Sequence, residues 1–265
     1  MIELNKIYNQ DCLEGMKLID DKSIDMILCD LPYGVTTKNK WDTIISYQLL
    51  WEQYERIIKD NGAIILFGQD KFTAETILSN KKIHRYNLIW KKVLSSGFLN
   101  ANRQPLREHE DIMIFYKKQP IYNPQKVKGN PCHKKGSVVG KMNDAVLQNN
   151  NYGDFKCVET KGDMKFPTSI LEFSKPHPSI SLHPTQKPVE LCEWLINTYT
   201  NEGEIVLDNC IGSGTTAVAA INTNRNYIGF ELDKNYYEIA QNRILGRINK
   251  IETLATVSLQ KSIFQ

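Results

Sequence analysis

The chain has 265 residues, a formal net charge of +3 and a hydrophobic fraction of 41%. This length is enough to bury a large core, and it fits one α/β domain that carries an insertion. The sequence contains no internal repeat, no low-complexity tract and no apolar run of about 18 residues, which a membrane-spanning helix would need. The first residues, 1–6, do not resemble a signal peptide, so a cytoplasmic protein is expected.

The hydrophobic pattern predicts strands that alternate with helices. Strands are predicted over 7–8, 24–29, 63–67, 87–91, 111–116, 204–208 and 227–231, and helices over 12–18, 47–58, 72–78, 189–199, from the glycine loop to 221, and 235–251. A loop is predicted over 95–107, and Pro and Gly punctuate 119–182. Such alternation implies an α/β fold with a mostly parallel sheet that helices cover on both faces.

One predicted strand ends in an unusual set of groups, Asp30-Leu31-Pro32-Tyr33. Pro32 cannot continue a strand interior and holds Leu31 extended, so the Leu31 carbonyl is expected beside the Asp30 carboxylate. These two acceptors and the Tyr33 ring could hold a planar base by its amino group. The alternative is an ordinary turn in which Asp30 caps a helix and Tyr33 packs on the surface.

A second polar segment follows the strand 204–208, which ends in Asp208. Gly212 and Gly214 open a helix whose first N–H groups could bind an anion. Glu231 ends the next strand and could accept both hydroxyls of a ribose. The same spacing, with Ala217, fits a nicotinamide dinucleotide fingerprint. Asp208 favours a cofactor with an ammonium group, which that dinucleotide lacks.

Three motifs, in a fixed order along the chain, give it a resemblance to a known family. They are Asp-Leu-Pro-Tyr over 30–33, His-Pro-Thr-Gln-Lys-Pro over 183–188, and Asp208 with Gly212-Ser213-Gly214-Thr215-Thr216. The chain resembles the β group of S-adenosylmethionine-dependent DNA amino-methyltransferases over residues 7–245. The sequence departs from that group at Leu31, where proline is usual, and at Cys210, where phenylalanine is usual. Leu31 would contribute only its carbonyl, whereas loss of the aromatic ring could loosen packing around the cofactor.

The resemblance implies a Rossmann-like methyltransferase fold, circularly ordered with the catalytic half first. Residues 1–118 would form that half, 119–182 a target-recognition insertion, 183–254 the cofactor-binding half and 255–265 a tail. The implied reaction transfers a methyl group from S-adenosyl-L-methionine to the exocyclic amine of a flipped base. The methylated atom is expected to be N6 of adenine in DNA. The alternatives are N4 of cytosine in DNA and, less favoured, an amine of an RNA base.

The resemblance also implies roles for individual residues. The catalytic residues would be Asp30, Leu31, Pro32 and Tyr33, with the base stacked on Tyr33. Asp208 would hold the cofactor's ammonium group, Glu231 its ribose, and residues 212–216, Thr185 and Lys187 its carboxylate end. Asp11, beside Cys12, would accept from the adenine amino group, although an aspartate after a short strand is also a common helix N-cap.

The positive charge is concentrated between residues 112 and 143, which contain seven lysines and no Asp or Glu. Such a run is commonly a solvated face, but with the motifs above it favours contact with phosphates. Lys126, Lys128, Lys134 and Lys135 are the candidate DNA-binding residues. Double-stranded DNA is the expected partner, a membrane is not, and a homodimer is left open.

The six cysteines include no C-x-x-C pair. In a reducing cytosol they are expected to be free thiols. Cys132, His133, Cys157 and His177 have no standard zinc-site spacing, so no metal is expected.

Overall fold

The computed structural model of the chain describes residues 2–34, 44–129, 163–175 and 186–263, with only the helical backbone given for 255–263. Two compact units are present. The larger contains Met1–Asn123 and Ser169–Gln265, and the smaller is Pro124–Thr168.

The larger unit alternates strands with helices, as the sequence predicts. Its strands are β1 Lys6–Asn9, β2 Ile24–Cys29, β3 Ile58–Gly68, β4 His84–Ser96, β5 Arg107–Phe115, β8 Ile170–Phe173, β9 Ile205–Asp208 and β10 Asn226–Glu231. Its helices are α1 Cys12–Met16, α2 Tyr47–Ile57, α3 Asp70–Ser79, α4 Val189–Tyr199, α5 Thr215–Asn222 and α6 Lys234–Ile263. A 3-10 turn, Phe98–Asn100, lies between β4 and β5.

The eight strands form one sheet in the order β1-β10-β9-β2-β3-β5-β4-β8. β5 is antiparallel to both neighbours, while the remaining pairs are parallel. The carboxyl ends of β2, β9 and β10 therefore share one edge with the amino end of β5. This arrangement confirms the predicted mostly parallel α/β sheet.

Side chains alternate between two faces of the sheet, and each face has its own core. On β2, Met26 and Leu28 pack into one cluster and Ile27 and Cys29 into the other. Helices α4, α5 and α6 cover the first face, and α1, α2 and α3 cover the second. Because both faces are covered, all six residues of β2 are buried.

Helix α2 shows how the sequence specifies this packing. Leu50, Trp51, Tyr54 and Ile57 are its buried residues, and Tyr54 lies three or four positions from each of the others, so all four share one side of the helix. The hydroxyl of Tyr54 donates to Asn209 Oδ1 at 2.5 Å. The helix therefore links one sheet face to the loop that follows β9.

Several predicted boundaries differ from the structure. β3 and β4 are longer than predicted, and the expected loop over 95–107 lies largely within 97–106. Helix α6 continues past the predicted end at 251 to Ile263, since the sequence after 251 contains no Gly or Pro. β8 was not predicted, because a four-residue strand with an exposed Ile170 has little local signal.

The smaller unit contains a two-stranded antiparallel ladder, β6 Val127–Lys128 with β7 Met164–Lys165. The predicted insertion, 119–182, extends beyond this unit at both ends, because Asn123 bonds to the end of α4 and β8 joins the large sheet. Among the helices in the described part of the chain, none is long and apolar enough to cross a membrane.

Candidate active site at the carboxyl edge of the sheet

The chain reverses direction across the sheet between β2 and β9. These strands are neighbours, but β2 leads to β3 on one side and β9 leads to β10 on the other. Ligands of open parallel sheets bind outside such a reversal point. A cavity of about 730 Å³ lies there, lined by residues from both sides, including Asp30 and Asp208. Its volume is in the range of small-molecule sites.

The glycine loop after β9 has the backbone that the sequence predicts. Gly212 and Gly214 have φ angles of 52° and 80°, and Gly214 is the N-cap of α5. A Cβ atom on Gly214 would lie 3.2 Å from Ala240 Cβ, so close packing adds to the conformational demand for glycine. The helix start and this loop line the cavity, as expected for an anion-binding turn.

Asp208 is a buried carboxylate at the end of β9, with 5% of its surface exposed. Cys210 N donates to its Oδ1 atom at 3.1 Å. Burial raises its pKa to about 6, although the Thr216 hydroxyl and Cys210 N–H act in the opposite direction. No ion pair involves Asp208 within the described residues. A buried, uncompensated carboxylate of this kind is suited to an ammonium group.

Glu231 ends β10 and holds the glycine loop in place. Its two carboxylate oxygens accept from Gly212 N and Asp233 N, both at 2.8 Å. Burial raises its pKa above the usual range. Each oxygen can accept further hydrogen bonds, so Glu231 can also receive hydroxyl groups from the cavity.

Two residues of the glycine loop, Ser213 and Thr215, bond to a side chain that was not predicted to lie there. Arg243 Nη1, on α6, donates to Ser213 O at 3.0 Å and to Thr215 Oγ1 at 3.0 Å. Ser213 Oγ donates to Gln186 at 3.2 Å. The helix carrying Arg243 was predicted, but nothing local indicated which of its arginines would face the loop.

Asp11 caps a helix, which was the alternative given for it above. Its Oδ1 atom accepts from Leu13 N at 2.8 Å and from Glu14 N at 3.2 Å, at the start of α1. Asp11 and Cys12 both line the cavity. The capping role is therefore confirmed, and contact with the adenine ring stays a prediction.

The Asp-Leu-Pro-Tyr segment lies at the end of β2, and all four residues line the cavity. Tyr33 donates its hydroxyl hydrogen to Asp30 Oδ1 at 2.8 Å. Its ring packs against Phe72, with 4.5 Å between the ring centroids. The segment is therefore held by a hydrogen bond and by ring packing rather than lying free on the surface.

Lys187 has contacts that differ from the expected ones. Its Nζ atom donates to Asp30 Oδ2 and lies 3.3 Å from Glu110 Oε2, with Glu110 Oε1 in turn 2.5 Å from Lys92 Nζ. Lys187, Glu110 and Lys92 are all buried, with 3–7% of their surfaces exposed. Lys187 was expected at the cofactor's carboxylate, and no role was predicted for Glu110 or Lys92.

A signal for Lys92 was present in the sequence. Leu88, Trp90 and Lys92 alternate along β4 and are all buried, so the lysine is in phase with two core residues. A charged residue at an inward position is rarely buried without a partner. That partner is Glu110, on the neighbouring strand β5.

Two of the four candidate DNA-binding lysines can be described. In the smaller unit, Lys126 Nζ lies 4.5 Å from the centroid of the Phe166 ring, and Lys128 Nζ lies 3.8 Å from Asp163 Oδ2. Lys117 and Lys118, from the same run, pair with Glu55 and Asp60. The run lacks acids in sequence, but acids from elsewhere neutralise part of it. Lys134, Lys135 and Thr185 lie outside the described residues, as do Cys132, His133, Cys157 and His177.

Comparison with known proteins identifies relatives of this chain among DNA methyltransferases. The model of the DNA methylase family, of the N6/N4 methyltransferase type, matches residues 24–242. A Type II methyltransferase, M.BglII, from Bacillus subtilis is 30% identical over 92% of this chain and 69% of its own length. Another, M.HpaI from Haemophilus parainfluenzae, is 27% identical over 94% of this chain and 77% of its own.

Solved structures share the fold at lower identity. The M1.HpyAVI complex with SAM has a TM-score of 0.59 and 23% identity, covering 90% of this chain and 98% of that one. PvuII DNA methyltransferase, described as cytosine-N4-specific, has a TM-score of 0.63 and 15% identity, covering 93% and 92%.

These matches, together with an acid at the end of each of two central strands, define an S-adenosylmethionine-dependent methyltransferase of class I fold. The chain belongs to the N6/N4 DNA methylase family.

Proposed function

We propose that this protein transfers a methyl group from S-adenosylmethionine to N6 of an adenine that has been flipped out of double-stranded DNA. The observation that carries the proposal is that Asp30 and Asp208, at the ends of neighbouring strands, line one cavity. One acid is available for an amine to be methylated, and the other for the ammonium of the methyl donor.

The cofactor fits the residues on the β9 and β10 side. Asp208 would bind the ammonium group, because this carboxylate is buried and has no ionic partner among the described residues. Glu231 would accept the ribose hydroxyls, and the loop 212–216 with Thr185 would hold the carboxylate end. Asp11 and Cys12 would lie at the adenine. When bound, S-adenosylmethionine supplies an electrophilic methyl group on a sulfonium.

The chemistry on the other side follows from the acceptors near Asp30. An exocyclic amine is a weak nucleophile, because its lone pair is delocalised into the ring. The Asp30 carboxylate and the Leu31 carbonyl would accept its two hydrogens and align the nitrogen with the methyl group. The amine gains positive charge as it reacts, and a nearby carboxylate stabilises that charge. The proton can leave after transfer.

Tyr33 and Pro32 would position the base. A base within a duplex cannot reach this cavity, so it must be flipped and stacked. Tyr33 is braced by Phe72 and by its hydrogen bond to Asp30. Such bracing would present a rigid aromatic face to the base at little entropic cost.

Adenine is preferred over cytosine because the tetrapeptide contains aspartate, where N4-cytosine enzymes of the resembled group more often have serine. Both bases present an amino group beside a ring acceptor, so the acceptors at Asp30 alone suit either. N4-cytosine is therefore the second candidate. Residues 1–118 and 183–254 would be the catalytic and cofactor-binding halves, and 119–182 would read the DNA. A homodimer stays a prediction.

The test is methylation-sensitive sequencing of DNA from cells that express the protein, beside cells that express Asp30→Ala. We expect N6-methyladenine at a defined sequence with the wild type and none with the variant. N4-methylcytosine at a defined sequence would show that cytosine, the second candidate, is the base that is methylated. Absence of any modified base, from a folded protein that binds S-adenosylmethionine, would contradict the proposal.

A further inference from the structure

Three buried charged groups and the half-buried Asp30 form a continuous chain at the Asp30 end of the cavity. Lys92 contacts Glu110, Glu110 contacts Lys187, and Lys187 contacts Asp30. The four side chains come from four separate segments: β4, β5, the residues before α4, and the end of β2. Burial of isolated charges is very costly, so this arrangement is stable only if the charges compensate each other.

Asp30 needs help to remain ionised in this position. Burial raises its pKa, Lys187 lowers it, and Glu110 raises it again. A protonated Asp30 has fewer acceptor positions for the hydrogens of an amine. Lys187 therefore preserves the acceptor, whereas Glu110 limits how much of the lysine's charge Asp30 experiences.

Lys187 is itself held firmly. Burial works against its charge, but Asp30 and Glu110 raise its pKa to about 12. Its Nζ atom also lies 4.9 Å from the centroid of the Phe67 ring, close enough for a cation–π contact. Glu110 also remains charged: burial opposes ionisation, but Lys187 and Lys92 lower its pKa to about 2.

We propose that Lys187 and Glu110 are positioning residues with opposed effects on the catalytic carboxylate: Lys187 keeps Asp30 ionised and aimed, and Glu110, anchored by Lys92, holds Lys187 and tempers its charge. This inference rests on the proposed function of Asp30. It replaces the expectation that Lys187 binds the cofactor's carboxylate, since its described contacts are with Asp30 and Glu110.

The two carboxylate oxygens of Glu110 make unequal contacts. Its Oε2 atom is buried, accepts no hydrogen bond from the described residues and lies 3.3 Å from Lys187 Nζ, while Oε1 takes the closer contact with Lys92. Lys187 is thus shared unequally between two carboxylates and lies nearer to Asp30. Within the described residues, further titratable groups also interact electrostatically with Asp30, including Tyr33, Cys29, Cys192, Asp208 and Lys175.

The experiment measures the pH dependence of single-turnover methyl transfer to duplex DNA by the full chain. Transfer requires ionised Asp30, so the rate falls on the acidic side of the profile. Lys187→Met should move that acidic limb to higher pH by about one unit or more, and Glu110→Gln should move it to lower pH. Opposite shifts from two residues in contact are not expected from general loss of structure.

Three further variants keep the test decisive. Lys187→Arg preserves the charge, so its acidic limb should stay near that of the wild type even if the rate falls. Lys92→Met combined with Glu110→Gln removes a whole ion pair without leaving a buried lysine unpaired, and its limb should still move to lower pH. Glu108→Gln is the control, since Glu108 is an exposed acid on the same strand.

A second readout does not depend on activity. The Asp30 carboxyl can be followed by ¹³C NMR in labelled protein, with Asp30→Asn used for assignment, and it should show the same opposed shifts. If the wild type methylated no DNA, the proposed function would fail while this titration still tested the ion chain. The inference would be overturned if the Asp30 titration did not move in the two variants, or moved in the same direction in both. It would also be overturned if Lys187→Met lost S-adenosylmethionine affinity tenfold while its acidic limb stayed in place.

Discussion

The two ends of the cavity use carboxylates in contrasting ways. Asp208, at the cofactor end, is buried without an ionic partner among the described residues, and its pKa is raised to about 6. Asp30, at the opposite end, is half-buried, and it contacts a lysine that belongs to a chain of compensating charges. The protein therefore supplies a cation for one acid and leaves the other without one.

The contrast follows from what each end is proposed to bind. An S-adenosylmethionine ammonium brings its own positive charge, so a resident lysine beside Asp208 would compete with it. A neutral base amine brings no charge before it reacts. Asp30 must therefore be kept ionised by the protein itself, which is the task that Lys187 performs in our proposal.

The largest expected effect is at Asp30. Asp30→Ala should reduce methyl transfer at least about a hundredfold, because it removes the acceptor for the amine and the charge that stabilises its transition state. S-adenosylmethionine affinity should change by less than about twofold. Single-turnover kinetics and titration calorimetry would measure the two quantities. Retention of a tenth of the wild-type rate would rule out a catalytic role.

The second prediction concerns the opposite end. Asp208→Ala and Glu231→Ala should each weaken S-adenosylmethionine binding by about ten- to a hundredfold, since each removes a charged acceptor, which is worth roughly 1.5 to 3 kcal/mol. Asp20→Asn and Glu202→Gln, at exposed positions, are matched controls. Unchanged affinity in a folded Asp208 variant would mean that the cofactor binds elsewhere.

The two ends also differ in how much of them the sequence revealed. Asp208, Gly214 and Glu231 lie in short contiguous segments that run from a strand into a loop, so local pattern sufficed to place them at the sheet edge. The ion chain could not be predicted in this way. It depends on the pairing of Trp90 with Glu110 across β4 and β5, a register that no local pattern specifies.

The same reasoning explains the smaller errors in the fold. The short strand β8 forms because β4 offers an open edge, and β4 reaches Ser96 because β5 pairs with it. These are consequences of tertiary pairing rather than of propensity. The Asp11 cap, by contrast, is local, and the sequence already offered it as one of two interpretations.

A third prediction uses the raised pKa of Asp208. Because the cofactor's ammonium would pair with ionised Asp208, affinity should be highest above pH 6 and fall by up to about tenfold per pH unit below it. Calorimetric titrations between about pH 5 and pH 7, which bracket the pKa of Asp208, would measure this dependence. Asp208→Asn should bind weakly with little pH dependence over that range.

The raised pKa of Asp208 also predicts a pH dependence of folding stability. The cofactor-free protein should become more stable as pH falls, whereas its affinity for the cofactor should become weaker. A carboxyl with a higher pKa when folded than the usual 3.8 binds protons more tightly in the folded state. Ionised Asp208 therefore destabilises the cofactor-free folded state at pH 7, and this cost is relieved as pH falls from about 6 to about 4. Asp208→Asn should raise the free energy of unfolding of the cofactor-free protein at pH 7, by up to about 3 kcal/mol, and by much less at pH 4. Denaturant unfolding at both pH values would measure this difference, and a destabilised variant at pH 7 would contradict it.

The smallest expected effect concerns the lysines of the smaller unit, whose partners are weaker than those of Lys187. Lys128 is 83% exposed and 3.8 Å from Asp163, and Lys126 lies over Phe166, so both can turn toward a phosphate at little cost. Each phosphate contact contributes about −0.9 to the slope of log affinity against log salt. Changing Lys126 and Lys128 to Gln should therefore flatten that slope by up to about two units without altering S-adenosylmethionine affinity. Lys6 and Lys17, which pair with Glu3 and Glu14 on the larger unit, provide the control double variant. An unchanged slope would show that Lys126 and Lys128 form a solvated face, and the exposed residues 98–104 between β4 and β5 would then be the next to substitute.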